Sequence, residues 1–276
     1  MAHFTSMRNL KWHYTTTGQG EALFFIHGFA ATGGWWHHQA SFLQDHCQVI
    51  TIDLPGHGQT PFMPLSLQDI AIDIRQLIVS LGLSQVTIVA SSMGGLVAFE
   101  LYRLMPQQIM RMSLVGSMPK FARTPTYGAG LDIEKIRTMS KQFQPQADPP
   151  MADEGDYVAI LDIFFRSLFS KKEREAKSWL ELKDFRQQQP LPDRAALQHF
   201  LEMLERTDLR DKFSSVICPL QFVAGSDDYI CTPDVMQWMQ EHAYNARFDV
   251  MAGGGHLPFL TDVHEYNRLL EDFLIS

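Results

Sequence analysis

Six short runs of largely apolar residues, at 22–26, 48–54, 85–90, 109–115, 219–224 and 247–251, constrain this chain more than any other feature of it. Each is too short for a buried helix, and 22–26 is continuous rather than alternating, the pattern of a strand buried on both faces. A weaker strand is expected at 10–14, ahead of the turn Gly18-Gln19-Gly20. Between the runs lie helical patterns at about 35–43, 67–81 and 94–105, and again from about 233 and at about 264–274. In 67–81 the apolar residues Ile70, Ile74, Leu77 and Ile78 recur at helical spacing, and Ser66 is placed to cap the N-terminus. Strands alternating with helices imply an α/β fold, with a mostly parallel central sheet flanked by helices on both faces.

The alternation stops after 117. Residues 118–214 read as helices broken by Pro145, Pro149, Pro150, Pro190 and Pro192, and the strand pattern resumes only at 219. The expected organisation is a core formed by 1–117 and 215–276, with a helical insertion at 118–214. A chain of 276 residues is long enough to bury a core without disulfides or a metal. With 45% hydrophobic and 20% charged residues, it is not disordered, collagen-like or coiled-coil. Cys47, Cys218 and Cys231 are far apart and odd in number, with no zinc-ligand spacing, which points to a reducing compartment. Residues 1–10 have no apolar signal core, and no run approaches membrane-spanning length, so a cytoplasmic protein without a membrane partner is expected.

Formal net charge is −8, which argues against nucleic-acid binding. The distribution is uneven. Residues 118–217 hold 16 of the 23 Lys and Arg but only 16 of the 31 Asp and Glu, so the remainder is strongly acidic. Charge-rich exposed helices account for this as well as an anionic partner or substrate steered by that charge does.

The strongest local signal is Ala90-Ser91-Ser92-Met93-Gly94-Gly95, set between a buried strand and a helix. A nucleophilic serine must be held clear of the backbone, and a sharp strand-to-helix turn with small residues two before and two after does that. Ser92 is the centre of this G-x-S-x-G pattern, with Ala90 in place of the first glycine, and Ser91 is expected to point elsewhere. A serine nucleophile needs a base, and the base an orienting acid. The run at 219–224 leads into Gly225-Ser226-Asp227-Asp228, and that at 247–251 into Gly253-Gly254-Gly255-His256. The order Ser92, Asp228, His256 is the one this kind of fold uses. Asp228 is preferred to Asp227 because it stands three residues beyond Gly225. Two N–H donors should face the developing oxyanion, that of Met93 and that of Phe29 in the loop His27-Gly28-Phe29. His27 reads as a buttress of that loop, and His57 as a residue that holds a turn. No phosphate-binding loop or dinucleotide fingerprint is present, so neither cofactor nor metal is expected.

These segments, with Asp53-Leu-Pro-Gly-His-Gly-Gln-Thr60 and Gly255-His256-Leu-Pro-Phe, resemble the α/β-hydrolase superfamily along nearly the whole core. The resemblance implies a cap over the active site, which suits 118–214. Within the superfamily the chain looks most like the pimeloyl-acyl-carrier-protein methyl ester esterases of biotin synthesis, the BioH type. That likeness lies in the short region before His27, in Leu114-Val-Gly-Ser-Met-Pro-Lys-Phe-Ala-Arg123, and in Phe200-Leu-Glu-Met-Leu-Glu-Arg-Thr-Asp-Leu209 followed by Cys218-Pro-Leu. It implies a serine carboxylesterase acting on short-to-medium acyl esters, with Phe29, Ser92, Met93, His256 and the stretch Phe164, Phe165, Arg166, Ser167 and Leu168 binding substrate. Phe121, Phe143 and Phe169 add to the aromatic residues that would bury an acyl chain or simply form the core of the cap. It also implies acyl carrier protein as a partner; here the cap offers Arg166, Lys171, Lys172, Arg174 and Lys177 to it, and these do not map one by one onto the family's basic positions. A general carboxylesterase, a thioesterase, a carbon–carbon bond hydrolase and a slow ligand receptor are the other activities this frame supports.

Overall fold

The computed structural model describes residues 2–125, 127–143 and 154–275. Its centre is one eight-stranded sheet: β1 (Ala2–Thr5), β2 (Lys11–Thr17), β3 (Glu21–Ile26), β4 (Cys47–Ile52), β5 (Val86–Ser91), β6 (Ile109–Val115), β7 (Leu220–Gly225) and β8 (Ala246–Met251). The spatial order is β1-β2-β4-β3-β5-β6-β7-β8. β1, β2 and β4 pair antiparallel, and every pair from β4 to β8 is parallel. All six residues of β5 and of β7 are buried, as are the last five of β3, so both faces of the sheet are covered at its centre.

The helices are α1 (His37–Leu43), α2 (Leu67–Ser80), α3 (Gly94–Leu104), α4 (Ile133–Gln142), α5 (Glu154–Ser167), α6 (Lys171–Glu175), α7 (Trp179–Gln188), α8 (Arg194–Arg206), α9 (Arg210–Phe213), α10 (Pro233–His242), α11 (Pro258–Thr261) and α12 (Val263–Leu274). The Ser66 hydroxyl accepts from the Asp69 N–H and caps α2, whose buried face carries Ile70, Ile74, Leu77 and Ile78. Helices α4 to α9 all fall between β6 and β7, where the strand pattern of the sequence lapses. Pro145, Pro149 and Pro150 lie outside the described residues.

Two strands differ from expectation. β1 was not expected, and β2 runs three residues beyond 14. Both lie at the antiparallel end of the sheet, where β1 alternates between half-buried and exposed residues and Thr16 and Thr17 of β2 are exposed, so polar residues serve there as well as apolar ones.

The topology fixes where chemistry can occur. From β3 the chain crosses to β4 on one side and then to β5 on the other, so the strand order reverses around β3. In an open parallel sheet the crevice outside the carboxyl ends of the strands at such a reversal is where ligands bind. The loops after β3, β5, β7 and β8 carry Gly28 and Phe29, Ser92, Asp228 and His256.

Candidate active site

Ser92 follows β5 by one residue and has φ +50°, a left-handed conformation costly for any residue with a Cβ. The turn is sealed on all sides. The Ser92 N–H donates to the Val115 carbonyl (2.9 Å), and its carbonyl accepts from the Ser117 hydroxyl (2.7 Å). A Cβ at Gly94 would stand 2.7 Å from the carbonyl oxygens of Ile26 and His27, so only glycine lets α3 start this close to β3. The outcome is a hydroxyl aimed off the strand end.

Ser92 Oγ lies 2.9 Å from His256 Nε2, and His256 Nδ1 lies 2.8 Å from Asp228 Oδ2. All three residues are buried. The second Asp228 oxygen accepts from the N–H groups of Ile230 (2.7 Å) and Cys231 (3.1 Å), which fixes the carboxylate plane. Asp227 is exposed and bonds instead to the Ser226 hydroxyl. The nearby Cys231 thiol is buried, which pushes its pKa well up and leaves it a poor nucleophile.

A second network holds the loop after β3. Asp53 accepts from the Gly33 N–H (2.8 Å), the Gln59 N–H (2.9 Å) and His13 Nδ1 (2.7 Å). His27 accepts the Leu54 N–H at Nε2 (2.9 Å) and donates from Nδ1 to the Gly28 carbonyl (2.7 Å). His57 accepts the Ala30 N–H at Nε2 and donates from Nδ1 to the Pro55 carbonyl. Each ring therefore needs one bare nitrogen and is neutral. Burial pushes His27 down to about 4 and His57 down to about 3, with the neighbouring His27 adding to the shift at His57. Among the described residues, the N–H groups of Phe29 and Met93 have no acceptor within the protein.

A cavity of about 480 Å³ opens onto Ser92 and His256. Its walls are overwhelmingly apolar, and they come from both the strand loops and the helical segment. Of the residues proposed from sequence to bind substrate, Phe29, Ser92, Phe164, Leu168 and His256 line it; Met93, Phe165, Arg166 and Ser167 do not. Helix geometry explains the split, because successive residues of α5 point about 100° apart. Phe164 faces the cavity and meets Phe29 edge-on at 5.3 Å. Phe165 instead packs among Trp35, Phe169 and Trp179. Arg166 is exposed, Ser167 hydrogen-bonds to the Tyr229 hydroxyl (3.0 Å), and the Met93 side chain is fully buried. Phe121 also lines the cavity, whereas Phe143 and Phe169 do not. Ser91, expected to point elsewhere, contributes to the wall as well.

Several wall residues escaped sequence reasoning, notably Ile136 and Met139 of α4, Leu201 and Leu204 of α8, and Tyr229. The two helical pairs have the i, i+3 spacing of an apolar face, but that spacing does not distinguish a cavity wall from a packed core. Tyr229 directly follows the proposed acid in the chain, and that adjacency is the sequence signal that could have found it. Among the described residues, no three His, Cys, Asp or Glu side chains are grouped to hold a metal ion, and no helix is long and apolar enough to cross a membrane.

The chain is similar to the pimeloyl-acyl-carrier-protein methyl ester esterase of Nitrosomonas europaea, with 29% identity over 90% of this chain and 94% of that protein. It is 28% identical to the protein of the same name from Xanthomonas oryzae pv. oryzae, over 96% and 99% of the two chains. An esterase from Exiguobacterium antarcticum superposes with a TM-score of 0.86 over 99% of both chains at 20% identity, a likeness of fold. The family model described as alpha/beta hydrolase matches residues 23–269, so the chain belongs to the alpha/beta hydrolase family.

Proposed function

We propose that this chain is a serine carboxylesterase that cleaves a small alcohol from a medium-length acyl ester, and that its substrate is the methyl ester of a pimeloyl group carried on acyl carrier protein. The coarser statement, a carboxylic ester hydrolase, stands on the family and on the esterase names of its relatives. The observation that carries the finer one is the Ser92–His256–Asp228 relay opening into an apolar cavity.

In this reading Ser92 Oγ attacks the ester carbonyl while His256 Nε2 takes its proton, and Asp228 holds the imidazole in the tautomer that can do so. The free N–H groups of Phe29 and Met93 stabilise the oxyanion, each by roughly 3 kcal/mol in the transition state. His256 returns the proton to the departing alkoxide, and water attacks the acyl-enzyme by the same route in reverse. The segment 118–214 acts as a cap, with Phe121, Phe164, Leu168, Leu201 and Leu204 seating the acyl chain. Names of relatives support a carrier-linked substrate, as does the concentration of Lys and Arg in a segment that is net neutral on an otherwise acidic chain.

The test is hydrolysis of pimeloyl-acyl-carrier-protein methyl ester beside p-nitrophenyl butyrate, by the parent and by Ser92→Ala. Methanol release from the carrier substrate, lost by a factor on the order of 10⁴ or more in a folded Ser92→Ala, is the expected result. Release of the carrier thiol would instead mean a thioesterase, and cleavage of the small ester alone a general carboxylesterase. Near-parent turnover by Ser92→Ala would remove the serine mechanism.

A further inference from the structure

Glu173 sits in α6 with only 9% of its surface exposed. Burying a carboxylate is costly unless its oxygens are hydrogen-bonded. Among the described residues no basic side chain lies within ion-pair distance of it, and three donors take that place. Oε2 accepts from the Ser170 N–H (2.6 Å) and the Gly255 N–H (2.9 Å), and Oε1 from the Thr261 hydroxyl (2.5 Å). The Ser170 bond is half of a capping box and is what a helix start requires. The other two have no such local explanation, because they leave the helical segment and end on either side of His256.

Other bonds converge there. The His256 N–H donates to the Leu168 carbonyl (2.7 Å), and the Ser170 hydroxyl donates to the Gly253 carbonyl (2.8 Å). The opposite side of the same loop is held by the Asp227 N–H on the Gly254 carbonyl (2.9 Å). The loop bearing His256 is thus clamped between the proposed acid's loop and residues 168–173, with almost no slack. A Cβ at Gly255 would stand 2.6 Å from the Leu168 carbonyl oxygen and 2.7 Å from Glu173 Oε2.

We infer that Glu173 is a positioning residue for His256: through the Gly255 N–H it sets where the imidazole stands relative to Ser92, and so ties the alignment of the site to the docking of α6. The inference rests on the reading of Ser92, His256 and Asp228 given above. A displacement of about 1 Å at a reacting group is enough to cost on the order of 10²-fold in rate.

The experiment compares the parent, Glu173→Ala, Glu173→Gln and Ser92→Ala on p-nitrophenyl butyrate, with thermal melts and the rate of Ser92 labelling by a fluorophosphonate. Glu173→Ala should lose kcat on the order of 10²-fold with KM little changed, and should label more slowly. Glu173→Gln should recover most of both. Its amide oxygen can accept from both N–H groups, and its amide nitrogen can donate to Thr261 Oγ1. Gly255→Ala, in which Glu173 is intact, should show the Glu173→Ala pattern, and it serves as the reading if Glu173→Ala does not fold. Parent-like kcat in folded Glu173→Ala or in Gly255→Ala overturns the inference, as does a Glu173→Gln as slow as Glu173→Ala. Turnover persisting in Ser92→Ala would strike the underlying mechanism instead, whatever the Glu173 variants do.

Discussion

At the scale of single residues, Ser92, the proposed nucleophile, has a strained backbone. Its φ of +50° costs a residue with a Cβ about 1–2 kcal/mol that glycine does not incur. Ser92→Gly should therefore be more stable than Ser92→Ala by about 1 kcal/mol, read from chemical-denaturation midpoints, while both are inactive. Equal midpoints would mean that the turn is not strained. Asp228 accepts two backbone N–H groups on one oxygen and His256 on the other. In Asp228→Asn the amide keeps only one acceptor oxygen, so the imidazole loses its orienting partner or the loop loses its anchor. A fall in kcat on the order of 10⁴-fold is expected at neutral pH. The spacing from Gly225 singled out Asp228 over its neighbour, and Asp228 is the carboxylate beside His256. The same kind of reading could not sort 164–168, because the end of a helix and the residue after it cannot turn five successive side chains to one cavity.

At the scale of elements, the loops after β3 and β4 are pinned to each other by neutral imidazoles. In the folded protein His27 is held near 4 and His57 near 3, whereas both take protons near 6.5 once unfolded. Below about pH 6.5 the unfolded chain binds more protons than the folded one. Stability is full above that pH and falls as pH drops towards 3–4, by at most about 1.4 kcal/mol per histidine per pH unit. Replacing His57 by Gln should lower stability at pH 7 but shrink the loss between pH 7 and pH 5, measured by urea midpoints. An unchanged pH dependence would show that His57 is not held neutral. The six runs each correspond to a strand; β3, β5 and β7, buried on both faces, leave the clearest hydrophobic signature, whereas β8 is mostly half-buried and reads as an alternating stretch. β1 left no such mark, since its residues alternate between half-buried and exposed. The apolar faces of α4 and α8 were legible as faces, but what they enclose depends on packing between distant elements.

At the scale of the whole molecule, the bias in charge becomes a question of which cations are free to meet a partner. Arg174 donates to the Phe169 carbonyl and Lys172 to the Ala252 carbonyl, so reversing either also disturbs the neighbourhood of His256. Arg166, Lys171 and Lys177 are exposed and make the cleaner probe. Reversing these three should lower kcat/KM for the carrier-linked ester, more steeply at low salt, and leave p-nitrophenyl butyrate unaffected. Equal losses on both would count against docking through this surface. The reach of the chain across the site has a last consequence. Ser92 and His256 are hydrogen-bonded across 164 positions of sequence, and His256 follows the final strand of the sheet. During synthesis Ser92 is therefore made long before the histidine proposed as its base. On the proposed mechanism, a chain that stops short of the segment after β8 carries the nucleophile without its base and has no esterase activity.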